Sequence, residues 1–171
     1  MLTDSQLLAA WEHAAAAWPF LPSVERGYLL PPFILVAVAS REIEGTLVSG
    51  VPPNPIYGDG GHGHGPWQLD DRTAGRTSAL ARIDGGDVEY AATYAASMLS
   101  GLIANERKAG YVEEVAIVRA LNRYNSGQPN AAGTANHNYG PDVEERRQRL
   151  VRWFGALVPT VAGRARREDE D

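Results

Sequence analysis

The spacing of apolar residues follows a helical period at both ends of the chain and loses it in between. Thr3 or Asp4 can cap a first helix running to about Trp18, where Pro19 and Pro22 interrupt the pattern. The run Phe33-Ile-Leu-Val-Ala-Val-Ala39 is apolar on every side, so a helix over residues 32–42 belongs in the core. Pro31 and Pro32 suit its first position, where a missing N–H costs nothing. Residues 46–66 then hold six glycines and four prolines and repeat with neither helical nor strand period. They predict a long loop, and ordered loops of that length are usually functional. Trp67-Gln-Leu-Asp70 predicts a short extended segment, one edge of a small hairpin. From Asp87 the helical period returns, with Val88, Ala91, Ala92, Ala95, Leu99, Leu102 and Ile103 on one face and Gly110 as the stop. A further helix over residues 112–124 turns Val115, Val118 and Leu121 inward and ends at Gly127. The last begins at Gly140-Pro141-Asp142 and buries Val143, Leu150, Val151 and Phe154. Arg146, Arg147 and Arg149 read as a solvated helix face, and Trp153-Phe154 as core packing. With no internal repeat and no linker, the chain reads as one mainly α domain over residues 1–163, followed by a charged tail at 164–171.

Composition narrows the function classes. A chain of 171 residues with 44% hydrophobic and 22% charged residues is globular and long enough to bury a core. A formal charge of −5 argues against a general nucleic-acid binder, although a cleft can still be locally basic. The absence of cysteine removes disulfides, thiol catalysis and cysteine zinc sites together. Met1-Leu-Thr-Asp-Ser lacks the basic and apolar regions of a signal peptide, so the chain reads as cytoplasmic when synthesised, with any export by another route. Its longest apolar run is too short to span a bilayer, which predicts no membrane insertion.

Candidate chemistry gathers at two places. Glu42 closes the buried helix, where desolvation and the negative end of the helix dipole both disfavour ionisation and raise its pKa. A carboxylic acid of that kind is a proton donor near neutrality. The alternative is a solvated glutamate just past a helix end. The second place is Gly58-Asp-Gly-Gly-His-Gly-His-Gly-Pro-Trp-Gln-Leu-Asp70, with five glycines in eight positions. Glycine clusters often make only a flexible loop. Here Asp59, Gln68, Asp70 and Trp67 add acids, an amide and an aromatic face, the mixture that carbohydrate sites need. His62 and His64 allow a zinc reading, but no third histidine is near in sequence, His137 being distant. No metal and no cofactor are therefore expected, and His64 is counted as a substrate contact. The glycine spacing does not fit a nucleotide-binding loop. Ser126 as a nucleophile lacks an identifiable base.

Several of these segments, in this order, resemble the goose-type lysozymes and, more broadly, the soluble lytic transglycosylase domain. They are Ser40-Arg41-Glu42, Gly58-Asp59 through Gly63-x-Gly65-x-x-Gln68-x-Asp70, Tyr124-Asn125-Ser126-Gly127, and Tyr139-Gly140-x-Asp142-Val143. The resemblance covers about residues 33–150; the glycine loop is specific to the goose-type branch, and Tyr-Asn-Ser-Gly is shared more widely. The chain departs from the family's pattern at Ile43, at residues 51–55 and at Pro66-Trp67.

What the resemblance implies is a lysozyme-like α+β domain with a buried central helix and a small hairpin or glycine-rich loop flanking a cleft. It implies a muramidase that cleaves the β-1,4 bond between N-acetylmuramic acid and N-acetylglucosamine in bacterial peptidoglycan. Glu42 would be the general acid, with Asp59 and Asp70 activating water for an inverting displacement. Gln68, Tyr124, Asn125 and Tyr139, with His64 and Trp67, would line the cleft. The protein would act as a monomer, in a setting that suits a phage endolysin or a wall-remodelling enzyme. Three alternatives stay open: a lytic transglycosylase forming 1,6-anhydro ends, an inactive peptidoglycan-binding module, and a metallohydrolase.

Overall fold

The computed structural model describes residues 2–50, 56–74, 78–129 and 138–155. The protein is mainly helical, with a small three-stranded antiparallel sheet. The tail at 164–171, the end of the expected domain at 163, and His137 lie outside the described residues. Among those residues, no helix is long and apolar enough to cross a membrane.

Helix α1 (Asp4–Ala17) starts at Thr3, which forms a reciprocal capping box with Gln6. Pro19 and Pro22 do not merely interrupt the pattern. Pro22 sits in the first turn of a short helix, α2 (Leu21–Gly27), where its missing N–H goes unneeded. The buried helix α3 runs from Ile34 to Glu42, two residues later than the prolines suggested. Phe33 takes a left-handed conformation (φ 67°) before it, so the chain turns at the prolines and enters the helix only afterwards. Every residue from Ile34 to Ser40 is buried, as an all-apolar helix requires.

Part of the expected loop is regular. Residues Glu44–Ser49 form α4 and pack on α1. Strands β1 (Tyr57–Gly58), β2 (Gly63–His64) and β3 (Leu69–Asp70) follow, in sequence order across the sheet. Tyr57 pairs with His64, and Gly63 with Asp70. Trp67-Gln-Leu-Asp70 therefore does supply an edge strand. Short helices α5 (Asp71–Ala74) and α6 (Ser78–Asp84) lead to α7 (Val88–Lys108). Asp87 caps α7 by accepting from the Tyr90 N–H at 3.0 Å, and Gly110 (φ 90°) lies just past its end.

Helix α8 (Glu113–Ser126) ends on Gly127 in the left-handed conformation. Its buried face is Ala116, Ile117, Ala120, Leu121 and Asn122. Val115, expected inside, is exposed, because the helix turns its alanines toward α7 and lets the two backbones approach closely. Helix α9 (Tyr139–Phe154) packs on α8 and α3. A Cβ at Gly140 would lie 2.4 Å from the Val118 carbonyl oxygen, so only glycine permits that crossing.

The arginines of α9 overturn their expected solvated face. Arg146 is 1% exposed and Arg147 and Arg149 are 7% exposed. Arg146 donates to the Ser40 carbonyl at 2.5 Å and to Glu44 and Asp142. Arg147 pairs with Glu144, while Arg149 donates to the Leu2 carbonyl and to Asp4. Each charge is buried because a carboxylate or a helix-end carbonyl meets it. In the last aromatic pair, Phe154 stacks on Trp11 at 3.9 Å, whereas Trp153 is exposed, contrary to its assignment as core.

Candidate active site

A cleft of about 1070 Å³ lies between the sheet and helices α7 and α8, with the end of α3 at its wall. Glu42, Gln68, Asp70, Tyr124 and Asn125 all line it. These residues come from three separate parts of the chain, and folding brings them to one surface.

Glu42 ends α3 and is partly exposed to the cleft. Burial raises its pKa; the Tyr139 hydroxyl, which donates to Oε1 at 2.5 Å, and the Arg41 charge both oppose that rise. Arg146 donates to the Ser40 carbonyl and sets a buried positive charge at the helix's negative end. Desolvation therefore carries the shift, and the dipole's share is offset. Tyr139 is buried behind Glu42 rather than lining the cleft, so it positions the acid instead of touching a ligand.

Asp70 faces the same cleft in the opposite electrostatic condition. Arg72 donates through Nε and Nη2, and its backbone N–H adds a third bond at 2.8 Å. The arginine holds the Asp70 carboxyl below the usual carboxylate range. The backbone of Asp59 belongs to a short 3-10 turn between β1 and β2, while its side chain is not among the described groups.

Gln68 shows why this segment needs its glycines. Its side-chain oxygen lies where a Cβ on Gly58 or Gly63 would stand, 1.8 and 2.3 Å away respectively. The amide lies across the sheet and donates to the Gly65 carbonyl at 2.8 Å, which presents it to the cleft. Tyr124 donates to the Trp67 carbonyl at 2.7 Å and ties α8 to the loop before β3.

Besides Tyr139, two more of the expected ligand contacts do not reach the cleft. Trp67 is 0% exposed; its indole N–H donates to the Leu35 carbonyl and its ring packs against Trp18, so it is core. His64 is also buried. Its Nδ1 lies 2.7 Å from Asp84, and Nε2 lies 3.8 Å from Asp71, which also meets His62. These contacts tie the sheet to α5 and α6. Among the described residues, no group of three or more potential ligands could hold a metal ion. The Ser126 hydroxyl donates to the Asn122 carbonyl, as a helix-end serine does.

Sequence reasoning missed Arg72, Arg123 and the α7 face of Ser97, Met98, Gly101, Leu102 and Asn105, which form much of the cleft. Arg123 immediately precedes Tyr124-Asn125 and was legible as part of that segment. Leu102 falls on the apolar face of α7, but that stripe is wider than the buried seam and spills into the cleft. Neither known protein-family models nor curated proteins match the sequence.

Proposed function

We propose that the chain is a lysozyme-like muramidase that cleaves the β-1,4 glycosidic bond of bacterial peptidoglycan. One observation carries the reading: a single cleft holds two carboxyls displaced in opposite directions, Glu42 upward by burial and Asp70 downward by Arg72. Pairs so divided serve as acid and base in glycosidic cleavage. Glu42, whose burial favours the protonated form, gives a proton to the leaving oxygen. Asp70, ionised, orients or deprotonates the attacking water. Gln68 and Asn125 offer amides to sugar hydroxyls, and Tyr124 offers an aromatic face. The resemblance to goose-type lysozymes supports the same roles.

The Asp70–Arg72 pair favours a second reading on the same scaffold. A carboxylate engaged by two nitrogens of one guanidinium and a backbone N–H is a poor base. In that case the substrate's own N-acetyl group stabilises C1, the sugar's 6-hydroxyl attacks C1 in place of water and passes its proton to the Glu42 carboxylate left by the first step, and the products end in 1,6-anhydro sugars. Mass and anomeric analysis of products from purified peptidoglycan separates the two. Reducing N-acetylmuramic acid ends of inverted configuration, strongly slowed by Asp70→Asn, mark hydrolysis. Only 1,6-anhydro ends, with Asp70→Asn active, mark the transglycosylase.

A further inference from the structure

We propose that Arg123 binds a carboxylate carried by the glycan, either on the lactyl group of a muramic acid residue or on the peptide attached to it. The inference rests on the glycan-cleaving reading above and names what sets its preference for an acidic glycan.

Arg123 stands near the end of α8 and lines the cleft together with Glu42 and Asn105. Its Nε donates to Glu106 Oε1 at 2.5 Å, and the other Glu106 oxygen accepts from Arg119 at 2.6 Å. Glu106 is almost wholly buried, at 2% exposed, while the Arg123 side chain stays 36% exposed. One edge of the guanidinium is thus anchored. Its two Nη groups have no hydrogen-bond partner among the described residues. A guanidinium held this way offers paired N–H donors matched to a carboxylate, with much of its side-chain freedom already lost. The other cleft arginine, Arg72, is engaged by Asp70 instead.

The charge count points the same way. At this wall Arg123 shares its one buried carboxylate partner, Glu106, with Arg119, on a chain whose formal charge is −5. Neutral sugar hydroxyls do not need such a group. An acidic glycan does, because its carboxylates would otherwise approach a cleft that already carries the ionised Asp70.

The test measures binding to the full chain carrying Glu42→Gln, which keeps the glycans intact. Three tetrasaccharides are titrated: one of N-acetylglucosamine alone, one alternating with N-acetylmuramic acid bearing free lactyl carboxylates, and one bearing peptide stems. At least one acidic glycan should bind about tenfold or more tighter than the neutral one. Adding Arg123→Gln should erase that preference and leave the neutral glycan's affinity unchanged. Whichever acidic form shows the effect identifies the carboxylate. If Arg123→Gln fails to fold, Arg123→Lys keeps a cation beside Glu106 but loses the fork, and should lose most of the preference. Equal weakening of all three glycans, or a preference that survives both substitutions, overturns the role of Arg123. Failure of all three to bind the Glu42→Gln protein overturns the glycan-cleaving reading and this inference with it.

Discussion

Glu25 meets the first turn of α3, and Glu42 closes its last. Both carboxyls are withdrawn from water and both are pushed upward in pKa by burial, Glu25 to about 7. Their partners differ. Glu25 accepts backbone N–H groups from Phe33 and Leu35, each at 2.9 Å, at the positive end of the helix. Those bonds hold back the rise that burial causes. Glu42 has the Tyr139 hydroxyl and the nearby Arg41, and it opens on the polar cleft. Glu25 borders an apolar groove among Trp11, Trp18 and Phe33, with no second carboxyl lining it among the described residues. A raised pKa alone therefore does not mark an acid catalyst. In the proposed reading, access to a polar cleft with a second carboxylate does, and of these two carboxyls Glu42 has both.

That contrast breaks most sharply under substitution. Glu42→Gln should lower peptidoglycan cleavage by about 10²–10⁴-fold, the usual worth of a general acid, while thermal unfolding stays near wild type. Glu25→Ala should do the reverse. It strands two helix-end N–H groups and costs about 2 kcal/mol or more in denaturant unfolding, with turnover per folded molecule retained.

The pH dependence of stability sharpens the same point. The folded pKa of Glu25 is raised from 4.5 to about 7, so the folded state binds more protons than the unfolded one across that window. Stability should then fall as pH rises from about 4.5 to 7, with Glu42 adding in the same direction, and Glu25→Gln should flatten the slope. An unchanged slope in that variant would mean Glu25 titrates normally.

The smallest effect concerns Tyr139. Its hydroxyl favours the ionised form of Glu42, so Tyr139→Phe raises the acid's pKa further. Activity should drop about tenfold or less from lost positioning, as the alkaline limb of the pH–rate profile moves up. A limb that moves down would show that the hydroxyl stabilises the protonated acid.

The helices and their stops were legible from period, caps and glycines: Thr3, Asp87, Gly110 and Gly127 all act locally. The start of α3 was not, because the prolines allow two entries and Glu25, eight residues before Phe33, helps stabilise one. The site was half legible. Glu42, Gln68, Asp70, Tyr124 and Asn125 do share one cleft, since motif residues on loops and helix ends tend to reach surfaces. Trp67 and His64 looked alike in sequence but lie in the interior, a matter of which way each side chain turns in a glycine-rich segment. The burial of Arg146 and Arg149 in α9 was illegible for a similar reason: their partners Ser40, Asp4 and Leu2 lie more than a hundred residues away.

The most direct measurement is release of soluble fragments from purified peptidoglycan by wild type, Glu42→Gln and Glu25→Gln, each verified as folded and compared at equal folded concentration. Wild type and Glu25→Gln should release glycan fragments cut between the sugars at similar rates, and Glu42→Gln essentially none. Release at the wild-type rate by folded Glu42→Gln, or no cut glycosidic bond in the wild-type digest, would contradict the assignment of Glu42 as the proton donor of a glycan-cleaving site.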